Sequence, residues 1–293
     1  MRAQLVKSLH KIMGSDERFM LLLCDIGEYA FREVSIAYPG RVINLGISEQ
    51  AAVGVAAGLA IEGKYPVLYV IAPFLVERAY EQIKLDLAAH GLPAILITVG
   101  GSYDYSHEGK SHHCPAEIGL LLNIPGMTIL TPGTAAEMNF LLTQAALNPG
   151  LYSLRLSERC NAKSNISCIG RGMLIRHSPG ARVITLVAAE MLDRTLAALG
   201  DQPTTIIYYQ TVHPFDAGII HKWSGSAQKI LIIEPWYATL VIQAAEALSS
   251  VTIRNASVPR RFIDIAGTPE QIDAAIGLDT DGILRAYKEI ENA

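Results

Sequence analysis

Two α/β domains, each a three-layer arrangement on a mainly parallel sheet, are predicted by three features of the sequence. Short apolar runs alternate with helix-like segments almost from end to end, the pattern of a parallel sheet covered on both faces. Turn signals part the elements, among them Gly-Leu-Pro at 91–93 and Pro-Gly at 125–126 and 132–133. The alternation breaks once, over 157–181, and then resumes.

The N-terminal MRAQLVKSLHKIMG reads as an amphipathic helix with charges throughout, without the apolar core and small-residue cleavage site of a signal peptide. Strands are expected at 19–24, 42–45, 66–71, 94–99, 127–130 and 151–156, each an apolar run bounded by polar or turn residues. Helices are expected between them at 48–62, 75–90, 115–123 and 134–147. The stretch from 157 to 181 is polar, glycine-bearing and poorly periodic, and reads as a crossing segment. Beyond it, strands at 182–189, 204–209, 229–234 and 251–256 alternate with helices at 190–200, 238–249 and about 279–291. The expected division is a first domain over 1–160, a linker over 161–181 and a second, smaller domain over 182–293.

Composition narrows the function classes. Half the residues are hydrophobic and 18% charged, which argues against disorder. The net charge of -4 is mild and mixed along the chain, giving no electrostatic case for nucleic acid or a membrane surface. No apolar run reaches membrane-spanning length. Cys24, Cys114, Cys160 and Cys168 form no C-x-x-C pair, and a reduced, cytoplasmic protein fits better than a disulfide framework. No recognised metal-ligand spacing occurs, although His112 and His113 are adjacent. Pattern and composition name no reaction, because such folds host many chemistries.

Four first-domain segments carry more: RVINLGISEQAAVGVAAGLAIEGKYPV (41–67), PFLVERAYEQIKLDLAAHGLP (73–93), HEGKSHH (107–113) and IPGMTILTPGTAAE (124–137). In order and spacing they resemble the pyrimidine-binding domain of transketolases and of deoxyxylulose-phosphate synthase. TVHPFD (211–216) and LIIEPW (231–236) resemble the C-terminal domain of the same superfamily, so the resemblance spans nearly the whole chain.

The resemblance implies thiamine diphosphate as cofactor and assigns roles residue by residue. Glu49, in the G-I-x-E pattern, would hydrogen-bond a ring nitrogen of the aminopyrimidine, making the exocyclic nitrogen the base that takes the thiazolium proton. The role needs a carboxyl able to share a proton, and Ile47 with the small residues after Glu49 supplies an apolar surround. By position alone the commoner reading of Glu49 is a carboxylate that decorates the first turn of a helix. Phe74 would stack on the pyrimidine, with Ile71 lining the same pocket where relatives often carry an aromatic. Asp25, at the end of the first strand, matches an acidic residue near the cofactor, or caps a turn. His112 would reach the substrate, a task suited to a group that titrates near neutrality, while His113 reads as structural. Glu108 would face substrate hydroxyls. Arg78 and Arg155 are candidates for an anionic substrate group, with structural ion pairs as the even alternative. Glu77 and Lys110 depart from the family pattern, and His213 reads as structural.

The diphosphate-binding mark of the family, G-D-G with a downstream asparagine, is not found; Asp281-Gly282 lacks the preceding glycine. The expectation is therefore a split enzyme. An N-terminal diphosphate-binding transketolase subunit would hold Mg2+ and the diphosphate, the pair would assemble as an α2β2 heterotetramer, and small sugar or aldehyde substrates would meet the cofactor at the interface. The alternatives are a β subunit of a 2-oxoacid dehydrogenase, which supplies the same half of a split site, and a non-catalytic regulatory subunit.

Overall fold

The computed structural model describes residues 1–225, 227–247 and 251–293. Six first-domain runs become strands: β1 (Phe19–Leu23), β2 (Val42–Asn44), β3 (Tyr65–Ile71), β4 (Ala94–Val99), β5 (Met127–Leu130) and β6 (Leu151–Leu156). β1, β4 and β6 are buried at every position, which is why they read as unbroken apolar runs rather than alternating ones. The second half supplies β7 (Gly172–Arg176), β8 (Val183–Ala188), β9 (Thr204–Tyr209), β10 (Thr211–His213), β11 (Lys229–Tyr237) and β12 (Thr252–Val258).

A seven-stranded sheet runs β10-β5-β6-β4-β3-β1-β2 and a five-stranded one β12-β11-β8-β9-β7. All pairings are parallel except β10 with β5 and β7 with β9. The expected α/β class with mainly parallel sheets is what the chain adopts. Two features were hidden from periodicity. β7 lies inside the irregular crossing stretch, half-buried at every residue on the edge of the second sheet. β10, within TVHPFD, returns to the first sheet, where His213 pairs with Ile129. Both run antiparallel at a sheet edge; β7 is half-buried and β10 has only three residues, so neither shows a long apolar run.

Helices α1 (Arg2–Ser15), α2 (Arg32–Ala37), α3 (Glu49–Ile61), α5 (Glu117–Leu121) and α6 (Ala135–Leu147) flank the first sheet. Between α3 and α5 the short α4 (Tyr80–Gln82) is continued by wider π turns at Pro73–Glu77 and Ile83–Ala88. In the second half lie α7 (Leu192–Leu199), α8 (Ala217–Ser224), α9 (Leu240–Ala247), α10 (Pro269–Ile276) and α11 (Thr280–Asn292). The final positions of the helix expected over 238–249 lie outside the described residues. α2, α8 and α10 were not expected: each has eight residues or fewer, too short for a periodic signature.

The two halves share a core. One apolar cluster contains Val53, Leu68 and Ile118 from the first half and Ile184, Trp236 and Leu240 from the second. Fully burying one such side chain is worth about 1.5–3 kcal/mol, so the shared layer ties the sheets together.

Beneath that layer, Glu234 is wholly buried. It accepts from Trp236 Nε1 (2.5 Å), Asn255 Nδ2 (2.8 Å), Thr239 Oγ1 (2.9 Å) and the backbone N–H groups of Thr239 (3.0 Å) and Leu240 (3.3 Å). Burial pushes its carboxyl up to about 7, although these donors pull the other way. The folded chain therefore holds a proton that the unfolded chain releases near its ordinary value, and stability is lost as pH rises through that window. The expected loss from Glu234 between pH 5 and pH 8 is about 1–3 kcal/mol. Urea melts at both pH values check it. Glu234→Gln removes the titrating group and should flatten the difference, at a lower overall stability because its amide nitrogen meets donors. Equal slopes in the two proteins would remove the assignment.

Candidate active site

The site forms where three parallel strands end. Cys24, Asp25 and Ile26 follow β1, Ile47 and Glu49 follow β2, and Val70, Ile71 and Phe74 lie at or beyond the end of β3. Together they line a cavity of about 170 Å³. Crevices at the carboxyl ends of parallel strands are where open α/β sheets bind ligands, because the turns to the following helices splay apart there. Asn44 was missed by sequence reading. Its Oδ1 accepts from the N–H groups of Asp25 (2.9 Å) and Gly46 (3.0 Å), and its Nδ2 donates to Glu28 (2.9 Å). One side chain thus fixes the turns after β1 and β2, including Asp25 in a left-handed conformation at φ 69°.

Glu49 opens α3, yet it is only 2% exposed. A carboxylate that merely favoured the helix dipole would face water; this one turns inward to the cavity. Its one salt-bridge partner among the described residues is Arg78, whose Nη1 donates to Oε2 at 2.8 Å. The Arg78 guanidinium also lies over the Phe74 ring, 4.3 Å from its centroid. The π turn at Pro73–Glu77 closes with the Arg78 N–H on the Pro73 carbonyl at 3.1 Å. Such wide turns re-aim side chains and recur at functional sites; here Phe74 and Arg78 are brought to the same face as Glu49. Cys24 lies alongside as a neutral thiol, pushed up to about 11 by burial with the Glu49 charge adding to it.

His112 meets this cluster from a separate loop. Its ring stands edge-on to Phe74, with centroids 5.0 Å apart, and its Nδ1 lies 3.1 Å from Ser111 Oγ. Glu49, Phe74, Arg78 and His112 are therefore brought together, with Ile71 and Asp25 in the cavity wall. Glu108 sits on an exposed single turn of the same loop. Glu77 is held above its ordinary value by burial, against the Cys114 thiol that hydrogen-bonds to it at 3.4 Å. Lys110 pairs with Asp264 at the loop tip.

Arg155 stands elsewhere. It is 1% exposed, donates to Glu117 at 2.6 Å and to Glu190 at 2.9 Å, and its Nη2 donates to Ser102 at 3.3 Å. Here the ion-pair alternative describes its geometry: both carboxylates are buried and the guanidinium turns no face to the cavity. Arg159, Asp104, Glu190 and Asp273 extend this charge cluster between the two halves. Sequence reading missed all four, since a buried ion pair between distant segments leaves no local pattern.

No helix among the described residues is long and apolar enough to cross a membrane. Residues 1–161 match the family model described as the transketolase, pyrimidine binding domain. A Rhodococcoides fascians protein, described as an uncharacterized 33.6 kDa protein in the fasciation locus, is 34% identical over 91% of this chain and 87% of its own length. The 1-deoxy-D-xylulose-5-phosphate synthase 1 of Geobacter sulfurreducens is 29% identical over 85% of this chain but 41% of its own length. The chain thus spans about two-fifths of such synthases. A structure described as a split gene transketolase, inactive beta4 tetramer, superposes with a TM-score of 0.87 at 22% identity, covering 99% of this chain and 97% of the other, a likeness of fold. With more than half its length matched by the family's pyrimidine-binding domain, and its buried glutamate beside an aromatic ring at the strand ends, this chain belongs to the transketolase family.

Proposed function

We propose that this chain is the cofactor-activating subunit of a split thiamine-diphosphate-dependent transketolase. The observation that carries the reading is Glu49, a carboxylate 2% exposed at the wall of a cavity that also holds Phe74. An aminopyrimidine fits these residues: Phe74 offers an aromatic face, Glu49 an acceptor or shared proton for a ring nitrogen, and Ile71, Ile47 and Val70 an apolar surround. When bound, the cofactor would supply the carbon nucleophile that ketol transfer needs. The residues of this chain do the rest. Glu49 holds a proton at the pyrimidine edge, Phe74 fixes the plane of the ring, and the apolar wall excludes water. His112, against the Phe74 edge, donates or accepts a proton at the substrate oxygen. Arg78 carries a half-exposed positive charge at the mouth, suited to an anionic substrate group.

The reaction proposed is transfer of a two-carbon ketol unit from a phosphorylated ketose to an aldehyde. The diphosphate and Mg2+ would be held by an N-terminal diphosphate-binding subunit in an α2β2 assembly. Purification of the native complex tests this. The expected result is a second chain, bound thiamine diphosphate, and turnover of ketose donors that neither chain shows alone. Turnover of 2-oxoacids with an artificial electron acceptor and none of ketoses would replace it with the dehydrogenase reading.

A further inference from the structure

The loop that delivers His112 is fastened to both halves of the molecule. On its own side Asp104 accepts from Ser157 Oγ at 3.2 Å and from the Glu158 N–H at 3.1 Å, and further ties cross to the second half. Its base closes where the Cys114 N–H donates to the Ser102 carbonyl at 2.7 Å. Both sides of that base are tied across the domain boundary. Ser102 Oγ donates to the Pro235 carbonyl, and the Tyr237 N–H donates to the Pro115 carbonyl at 2.9 Å. The next residue, Tyr103, is wholly buried and donates its hydroxyl to Asp273 on α10. Asp104, also buried, lies 3.5 Å from Arg159, which in turn reaches Asp273 at 2.9 Å. Arg194 on α7 completes the ring around Asp273 at 2.7 Å. At the tip, Lys110 pairs with Asp264 and its ammonium lies 5.5 Å from the centre of the Phe262 ring.

Close packing adds to these bonds. A Cβ on Gly101 would stand 2.4 Å from Glu117 Oε1 and 2.7 Å from Arg155 Nε, so only glycine lets the loop settle on the buried ion pair. Ser102 holds φ 55°, a left-handed conformation that costs a non-glycine residue about 1 kcal/mol or more and persists only where the surroundings impose it. Arg155 from the first half and the Pro235 carbonyl from the second supply those surroundings.

We propose that the second domain positions the catalytic loop, and that Tyr103 and Asp273 are positioning residues for His112. The role of His112 itself rests on the transketolase reading above; the mechanical link does not. Asp273 gathers Tyr103, Arg159 and Arg194 at one buried carboxylate, so the loop, the end of the first sheet and two second-domain helices share a single anchor. Losing the Tyr103 hydroxyl bond removes one of several ties, loosens the loop base and lets the His112 ring drift from the Phe74 edge. A misplacement of about 1 Å at a reacting group can cost up to about 100-fold in rate.

Tyr103→Phe removes the hydroxyl and keeps the ring. In the full chain alone, hydrogen exchange of the amides in 102–114 is expected to quicken about tenfold while α3 amides are unchanged. In the assembled complex, turnover is expected to fall about 5- to 10-fold, with thiamine diphosphate affinity unchanged and the pH profile of turnover altered. Lys110→Ala, at the exposed tip, should quicken exchange at the tip alone. Unchanged exchange in 102–114 of Tyr103→Phe overturns the proposal, as does quickening spread evenly over the chain. Quickened exchange with no ketol transfer even by the unaltered complex would leave the mechanical link standing and remove the transketolase reading instead.

Discussion

Replacing Glu49 by alanine in the assembled complex is expected to lower turnover by at least about 100-fold, the scale on which a positioned acid–base group acts. The expectation rests on burial and direction together. Glu49 is 2% exposed, opens α3 and turns toward Phe74 rather than to water. A carboxylate in such a place costs desolvation energy that a surface helix would avoid by facing solvent, so its orientation has to be accounted for by something other than the helix dipole. Glu49→Gln keeps the volume and a hydrogen bond but cannot give up a proton, and should lose nearly as much as alanine. Two measurements separate catalysis from assembly. Thiamine diphosphate affinity, followed by titration, should weaken far less than turnover falls. Exchange of the thiazolium C2 proton, followed by NMR, should slow in proportion to turnover. Full activity of the Glu49→Ala complex would favour the non-catalytic regulatory alternative, since among the described residues no other carboxylate lines that cavity except the exposed Asp25.

The strands were legible because burial on both faces writes itself as unbroken apolar runs. β4, β5, β6 and β9 begin and end where the sequence places them. β7 and β10 were illegible because an edge strand needs no such run: β7 carries Gly172 and Arg176 among its five residues. The cofactor half of the site was legible only through its family likeness. What no sequence pattern could show was pairing across distance. Asp273 lies 170 positions beyond Tyr103, yet their contact anchors the loop. Arg155 illustrates the same limit from the other side. An arginine at the end of a buried strand reads as an anion site until Glu117 and Glu190, on separate elements, are seen to enclose it.

Arg78 carries the second large effect, because it engages the two groups, Glu49 and Phe74, that the proposed reading gives to an aminopyrimidine. A guanidinium is flat, donates to carboxylates and stacks on aromatic faces. Arg78 does both at once, with Glu49 at 2.8 Å and the Phe74 centroid at 4.3 Å. A ring that takes the same face of Phe74 and bonds Glu49 would displace it, and the displaced charge, 43% exposed already, would then be free for an anionic substrate. Arg78→Ala is therefore expected to leave cofactor affinity equal or up to about tenfold tighter, since a competing occupant has been removed. The KM for a phosphorylated donor should rise about 10- to 100-fold, the worth of a charge-assisted bond. Arg78→Lys keeps the charge without the plane, and should restore the KM in part while still releasing Phe74. In the chain without cofactor the same alanine change leaves the buried Glu49 without its ion partner and should lower stability by about 1–2 kcal/mol, measured by urea melts. Weaker cofactor binding with an unchanged KM would instead make Arg78 a support that holds Glu49 in place.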